Sequence, residues 1–205
     1  DFNPATQLLT NTWTIELWMH NPTGYTMSSY NGTHGFYIAP ADSNDIYLNN
    51  GGRAASLGPI GLSGTEGWQH VALVRNGKYA YAYHNGVLKF FDGNERTTTA
   101  WGGGPVYLGQ NGTDATGGGG YFDEIRFSTK ARYGTFDMPT AYLSSHQTIG
   151  RGKNTLLPQH TVLHISSETA TDGSTTFFDK TGNHTITASN SASHEDTYHL
   201  PWGNT

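Results

Sequence analysis

The sequence predicts an all-β fold of short antiparallel strands joined by tight turns. Glycine occurs 27 times and tyrosine 12 times in 205 residues, which is typical of many turns between strands rich in aromatic side chains. Apolar and polar residues alternate over residues 13–20, with the two-residue period of a half-buried strand, and helical periodicity is nearly absent. The length suits one large β-sandwich, or one domain with part of another.

Residues 68–91 carry the clearest strand pattern. Three alternating runs are separated by Asn76-Gly77 and Asn85-Gly86, and Asn-Gly between such runs predicts a type I′ hairpin turn. The middle run places tyrosines on one face and Ala80 and Ala82 on the other, where small side chains allow a second sheet to approach. This segment is therefore predicted to form a three-stranded meander.

Shorter runs predict further strands. These are residues 35–39, 45–49, 105–109, 121–128, 161–166, 175–178 and 184–188. Residues 21–24 are expected to end the first strand, and residues 117–120, all glycine, are expected to form a loop. Within residues 121–128, alternation predicts two faces, one with Phe122, Glu124 and Arg126 and the other with Asp123, Ile125 and Phe127.

Composition restricts the classes of partner. Lysine and arginine together number 11 and the net charge is −5, without a basic block, which argues against a nucleic-acid partner. The chain has no cysteine, so disulfides and thiolate metal sites are excluded. No apolar run approaches the roughly 18 residues of a membrane span, so no membrane partner is expected. Because the chain begins with Asp1, we interpret it as a processed product or a piece of a longer chain.

Five blocks of sequence resemble, in order, the laminin G-like family of the concanavalin A-like superfamily. They are WTIELW at 13–18, GWQHVALVR at 67–75, YHNGV at 83–87, VYLG at 106–109 and GYFDEIRFS at 120–128, with ARY following at 131–133. The resemblance covers residues 13–139 and implies an antiparallel two-sheet jelly-roll sandwich. The form with ARY after the last block is similar to repeats in phage tail and other virion proteins.

The resemblance also implies a division of the chain. Residues 1–145 are expected to form the laminin G-like sandwich and residues 146–160 a linker. Residues 161–205 resemble the opening strands of such a repeat, although they come last here. They could begin a truncated second repeat, complete this chain's own sandwich in permuted order, or complete a neighbouring chain's sandwich, which would cover an open sheet edge.

Carboxylates on strands are the first candidates for chemistry, and the prediction is that they are not catalytic. The Glu-x-Asp-x-x-Glu motif of related glucanases is absent. Asp123 and Glu124 are adjacent, so in a regular strand they would point to opposite faces and could not act as an acid and nucleophile pair. Glu16 and Glu124 are instead expected to form structural ion pairs with Arg75 and Arg126, since buried charges are normally paired. We therefore expect no enzyme activity.

Calcium is the metal that the resemblance implies, held by acids in loops at the sandwich rim. Candidate ligands are Asp42, Asp45, Asp92 and Asp114. None lies in a dense run of acids, so the alternative is that they are turn residues and that no cofactor is bound.

A carbohydrate site would combine an exposed aromatic ring with polar loop groups. Trp101, which precedes three glycines, and Tyr25 and Tyr30 fit this description. Trp101 has an alternative role as an anchor for its loop.

The function predicted from these features is a non-catalytic structural or adhesive module of a virion, such as a decoration, fibre or tail component. It would assemble through sandwich surfaces with other virion subunits or with its own copies. The alternative is a carbohydrate-binding, lectin-like module of a secreted or cell-surface protein, which would bind surface glycans. The expected location is accordingly the virion or the extracellular space.

Overall fold

The computed structural model describes residues 12–29, 35–40, 45–50, 53–94, 105–112, 117–133, 160–166, 171–188 and 192–195. These residues form strands and no helix, as predicted, and they therefore contain no helix that could cross a membrane. The strands are β1 (Thr12–Gly24), β2 (Met27–Ser28), β3 (Gly35–Ala39), β4 (Asp45–Asn50), β5 (Arg53–Ser56), β6 (Trp68–Asn76), β7 (Tyr79–His84), β8 (Val87–Asp92), β9 (Tyr107–Leu108), β10 (Gly118–Ser128) and β11 (Thr161–Ile165).

The strands form two antiparallel sheets that enclose one core. The six-stranded sheet has the order β11-β10-β1-β6-β7-β8, and the five-stranded sheet has the order β5-β4-β3-β2-β9. Ile15 and Leu73 of the first sheet share one buried apolar cluster with Phe36 and Leu48 of the second. Alternation along each strand delivers these side chains to the space between the sheets. The predicted two-sheet sandwich is therefore confirmed.

The predicted meander is present as β6, β7 and β8. Ala80 and Ala82 are fully buried in the core, whereas Tyr81 and Tyr83 belong to a smaller cluster on the outer face of the six-stranded sheet. The small alanine side chains leave room for the core residues of the opposite sheet, as the sequence pattern indicates.

One of the two predicted turns is displaced. Asn85 and Gly86 both have positive φ, 47° and 81°, as a type I′ turn requires. In the first hairpin, Asn76 is still paired with Tyr79, and of the turn residues only Gly77 has positive φ. The turn there begins at Gly77, one residue later than predicted.

The first strand does not end where the sequence suggested. β1 continues to Gly24 with a register shift after His20, and Gly118 and Gly119 pair with it as part of β10. A Cβ on Gly118 would overlap the carbonyl oxygens of Thr23 and Tyr25, so this close backbone approach requires glycine. The glycine run is part of a strand here, and the prediction of a loop is wrong.

A bulge interrupts β10 between Asp123 and Arg126. Glu124 has φ of 50°, and the register with β1 shifts at this point. Phe122 consequently packs against the core, and Asp123 pairs with Trp18 on the outer face. The predicted strict alternation is therefore wrong before Glu124, and Asp123 and Glu124 do not point to opposite faces.

The segment after residue 160 joins the same sandwich. β11 pairs antiparallel with β10, with Leu163 opposite Phe127 and Ile165 opposite Ile125. Leu163 and Ile165 lie in the main core cluster. In this single chain β11 forms the outermost strand of the six-stranded sheet. Nearly all of the predicted linker lies outside the described residues.

Residues 175–178 and 184–188 do not form the predicted strands. They contribute only isolated bridges, Phe178 with Thr185 and the adjoining Asp179 with Ile165. The Asp179 carboxylate accepts hydrogen bonds from the backbone N–H groups of His164, Thr181 and Asn183 at 3.0, 2.9 and 3.2 Å. These hydrogen bonds to the Asp179 side chain take the place of a regular ladder of strand hydrogen bonds, and they hold the segment against β11.

Candidate functional site

Glu16 lies at the centre of a polar cluster on the outer face of the six-stranded sheet. Ile15 and Leu17 point into the core, so Glu16 points away from it, and it is 1% exposed. Its carboxylate lies 3.1 Å from Arg132 Nε and 3.7 Å from Arg126 Nη1. The Tyr133 hydroxyl donates a hydrogen bond to the same carboxylate. Glu16 is thus surrounded by cationic and hydrogen-bonding groups.

Glu124 belongs to the same cluster through a shared arginine. Its Oε2 lies 3.0 Å from Arg126 Nη2 and 3.0 Å from His164 Nε2, and the residue is 5% exposed. The bulge at Glu124 and the strand pairing of β11 bring these groups together. One guanidinium therefore bridges both glutamates, with a histidine of the C-terminal segment completing the set.

Of the four residues predicted to form ion pairs, three meet in this cluster. Arg75 pairs in register with Trp13 and Ala80, whose side chains are in the core, so it leaves the sheet on the opposite face from Glu16. Its Nε donates to the carbonyl of Gly77 at 3.0 Å. The pairing register of β6 with β1 and β7 places Arg75 on the face opposite Glu16. The sequence alone does not define this register.

Burial shapes the titration of this cluster. Burial by itself would raise the pKa of the Glu124 carboxyl, but the hydrogen bond and charge of His164, together with Arg126, outweigh it and lower that pKa to about 2. Burial lowers the pKa of the His70 imidazole below 6.5, and Glu16, 3.7 Å away, opposes this only in part. The carboxylate of Glu124 is held ionised, and His70 is held neutral.

We expect stability to fall in acid in two stages. Because the folded pKa of His70 is below its unfolded value, its contribution is present above pH 6.5 and declines below that pH. The Glu124 contribution is present above about pH 4.5 and is lost as pH falls towards 2, amounting to about 3 kcal/mol. Urea unfolding at pH 7, 5 and 3 measures both stages.

Glu124→Gln should remove the lower stage and His70→Gln the upper one. If the free energy of unfolding of Glu124→Gln falls between pH 5 and 3 as steeply as that of the parent chain, the role assigned to Glu124 is wrong. A substitution at exposed Glu66 serves as the control for acidic residues in general.

Tyr25 is the predicted carbohydrate residue that the structure describes. Its ring meets Tyr37 edge-on at a centroid distance of 5.3 Å, and Tyr37 stacks on Tyr47 at 5.1 Å with planes 12° apart. Trp101 and Tyr30 lie outside the described residues, and their roles stay predictions. Tyr37 and Tyr47 were not predicted, although each is the central, outward position of a predicted strand.

The acids predicted as calcium ligands are not assembled by the described structure. Asp45 Oδ2 accepts N–H groups from Ile60, Gly61 and Leu62 at 2.7, 3.0 and 3.3 Å. An oxygen aimed at three N–H donors does not fit a cation ligand. Asp92 accepts the backbone and side-chain N–H of Asn94. Within the described residues no three His, Asp or Glu side chains are grouped around a metal position, and Asp42 and Asp114 lie outside them.

Other residues of the polar cluster escaped sequence reasoning. His70, Arg132, Tyr133 and His164 all lie within or beside the quoted blocks or the C-terminal strand, but nothing local marks them as partners of Glu16 and Glu124. The signal that could have found His70 is the alternation of β6, which directs position 70 to the outer face, whereas the approach of residues 131–133 to β1 is a tertiary contact. Thr14 secures that segment, donating to the Lys130 carbonyl at 2.8 Å and accepting the Arg132 N–H at 2.9 Å.

Comparisons with known proteins agree with this architecture. The Laminin_G_3 family model, described as the concanavalin A-like lectin/glucanases superfamily, matches residues 2–135. Among curated proteins, none matches the chain in sequence. The matched range ends before β11, so the edge strand supplied by the C-terminal segment lies beyond it.

Three similar solved structures are only 17% to 21% identical to this chain, and the first of them shares its fold. A candidate carbohydrate-binding protein from Bacteroides ovatus ATCC 8483 has TM-score 0.52 and 17% identity, over 85% of this chain and 50% of its own. A heptameric SAP-like pentraxin from Limulus polyphemus has TM-score 0.44 and 17% identity, over 60% of this chain and 66% of its own. Domain 4 of an extracellular arabinanase from Geobacillus stearothermophilus, in complex with arabinotriose, has TM-score 0.45 and 21% identity, over 60% of this chain and 62% of its own. The chain thus spans half the length of the first of these proteins.

Proposed function

We propose that this chain, which belongs to the concanavalin A-like lectin/glucanase superfamily, is a non-catalytic module that binds saccharides. The observation that carries the non-catalytic part is the state of the two strand carboxylates. Glu16 and Glu124 are buried and share the guanidinium of Arg126. A glycosidase needs one protonated and one ionised carboxyl group that both reach the glycosidic bond. Glu16 and Glu124 are instead paired with buried cationic side chains.

Saccharide binding is supported by the chemistry of the tyrosine rings and by a protein of the same fold. The chain presents tyrosine rings in mutual contact on the outer face of the five-stranded sheet, and tyrosine combines an apolar ring with a hydrogen-bonding hydroxyl. A protein of the same fold is itself a candidate carbohydrate-binding protein. A secreted or cell-surface setting follows from this function.

A second function is proposed on a different observation, namely a structural or adhesive role in a virion through self-assembly or contact with other subunits. Phe91 and Val87 of edge strand β8 are each 48% exposed, and Phe91 packs on Tyr79 and Tyr81 at 5.6 and 5.0 Å. An exposed apolar edge strand is a surface at which sandwiches associate. Location in a virion belongs to this proposal.

One experiment separates the functions. The full chain is applied to a glycan array, its mass in solution is measured by light scattering, and polysaccharides incubated with it are assayed for new reducing ends. We expect glycan binding without new reducing ends. A stable oligomer without any glycan signal would reject saccharide binding and support the structural role. Hydrolysis that is lost in Glu16→Gln or Glu124→Gln would overturn the non-catalytic proposal.

A further inference from the structure

A single row of residues crosses the outer face of the five-stranded sheet. Strand register aligns Tyr107 of β9 with Ser28 of β2, Ser28 with Tyr37 of β3, Tyr37 with Tyr47 of β4, and Tyr47 with Ser56 of β5. The adjacent residues along β3 and β4 point into the core, so the row faces outward. With strands ~4.8 Å apart, the row is ~19 Å long.

The accessible part of the row is aromatic. Tyr107, Tyr37 and Tyr47 are half-buried, so each retains part of its surface at the face of the sheet. Between Tyr107 and Tyr37 lies Ser28, which is fully buried and donates to the Gln110 carbonyl at 2.8 Å. Ser28 is therefore a buried spacer whose hydroxyl is engaged within the protein, and the accessible surface of the row is provided by Tyr107 on one side and by Tyr37 and Tyr47 on the other.

The row carries no ionic group. Its tyrosines present phenol hydroxyls, which both donate and accept hydrogen bonds, whereas the hydroxyls of Ser28 and Ser56 donate to carbonyls of the protein itself. Asp45, which lies beyond Tyr47 on the same strand, directs its carboxylate oxygen to backbone N–H groups at residues 60–62. The row provides no cation that could pair with an anionic ligand. A neutral sugar can instead place its C–H faces on the tyrosine rings and form hydrogen bonds with the phenol hydroxyls.

We infer that this row, centred on Tyr37 and Tyr47, is the saccharide-binding surface and that it selects neutral oligosaccharides long enough to cross several strands. This rests on the proposed saccharide-binding function and names its site and ligand class. The site differs from the predicted loop residues, sharing with them only Tyr25, whose ring packs against Tyr37. A second copy of this chain is the competing occupant of the face.

The test measures affinity for linear arabinan, β-glucan and mannan as neutral probes and for polygalacturonate as an anionic probe. We expect neutral probes to bind, and Tyr37→Ala and Tyr47→Ala to weaken binding at least about tenfold. Tyr37→Phe should retain most of the affinity. Tyr107→Ala, on a two-residue edge strand, should weaken binding of long probes with little risk to folding. Phe178→Ala, which alters an aromatic residue 70% exposed in the C-terminal segment, is the matched control.

The outcomes distinguish the inference from the function on which it rests. Neutral saccharide binding that none of Tyr37→Ala, Tyr47→Ala and Tyr107→Ala reduces, or stronger binding of polygalacturonate, would overturn the site and its ligand class while leaving saccharide binding intact. The absence of binding to every probe would instead overturn the proposed function. A mass in solution that rises with concentration in the parent chain and not in Tyr47→Ala would show that a second copy covers the face, and would also reject the inference.

Discussion

A chain that ends at residue 159 is expected to lose its stable fold. The truncation removes β11, so Ile125 and Phe127 lose their partners across the sheet edge, and Leu163 and Ile165 leave the core. Leu163→Ala alone should cost about 2–5 kcal/mol, because Leu163 is 3% exposed. The whole segment contributes several such losses, and domains have a total stability of only about 5–15 kcal/mol.

Urea unfolding compares the parent chain, Leu163→Ala and the truncated chain. Phe178→Ala, in the same segment but exposed, should change the free energy of unfolding by less than about 0.5 kcal/mol. A synthetic peptide of residues 160–195 should restore cooperative unfolding when mixed with the truncated chain, because β11 binds through edge pairing. If the truncated chain unfolds at the parent midpoint without the peptide, the segment is an accessory to a complete sandwich.

Arg126→Met is expected to be the most damaging single substitution in the polar cluster. Arg126 lies 3.0 Å from Glu124 and 3.7 Å from Glu16, and both carboxylates are buried. Its removal leaves two neighbouring negative charges without their shared cation, and breaking a buried ion pair on one side costs about 3–5 kcal/mol. The free energy of unfolding at pH 7 measures this loss.

Two companion variants make the result interpretable. Lys89→Met removes an exposed cation from β8 and should change stability little. Arg126→Met combined with Glu16→Gln and Glu124→Gln should recover part of the loss, because it removes the charges that Arg126→Met leaves unpaired. Equal stabilities for Arg126→Met and Lys89→Met would mean that Arg126 does not hold the cluster together.

The bulge in β10 removes one of the reasons for expecting no acid pair. The sequence excluded an acid pair because Asp123 and Glu124 would alternate, but the bulge at Glu124 places Asp123 on the outer face as well. The proposed non-catalytic role rests instead on the pairing of Glu16 and Glu124 with Arg126, His164 and Arg132. A bulge depends on how two strands accommodate each other, so one strand's alternation does not reveal it.

Local patterns were reliable where local physics decides the outcome. The two-residue period placed Ile15 and Leu17 inside and Glu16 outside, because successive side chains of a strand point to opposite faces. The turn at Asn85-Gly86 was predictable because both residues tolerate positive φ. The glycines of residues 118–120 misled, since a glycine run is typical of a loop and of a close strand contact alike.

The fold class, the meander and the two-sheet sandwich could be read from the sequence, since they follow from periodicity, turn chemistry and ordered motifs. The meeting of the charged groups, the position of β11 in the sheet and the alignment of Tyr37 with Tyr47 became evident only in the folded chain. His164 bonds Glu124 from 40 positions away, and Tyr37 stacks on Tyr47 because β3 and β4 pair in that register. Such contacts depend on which strands become neighbours and in what register, and no short stretch of sequence encodes either.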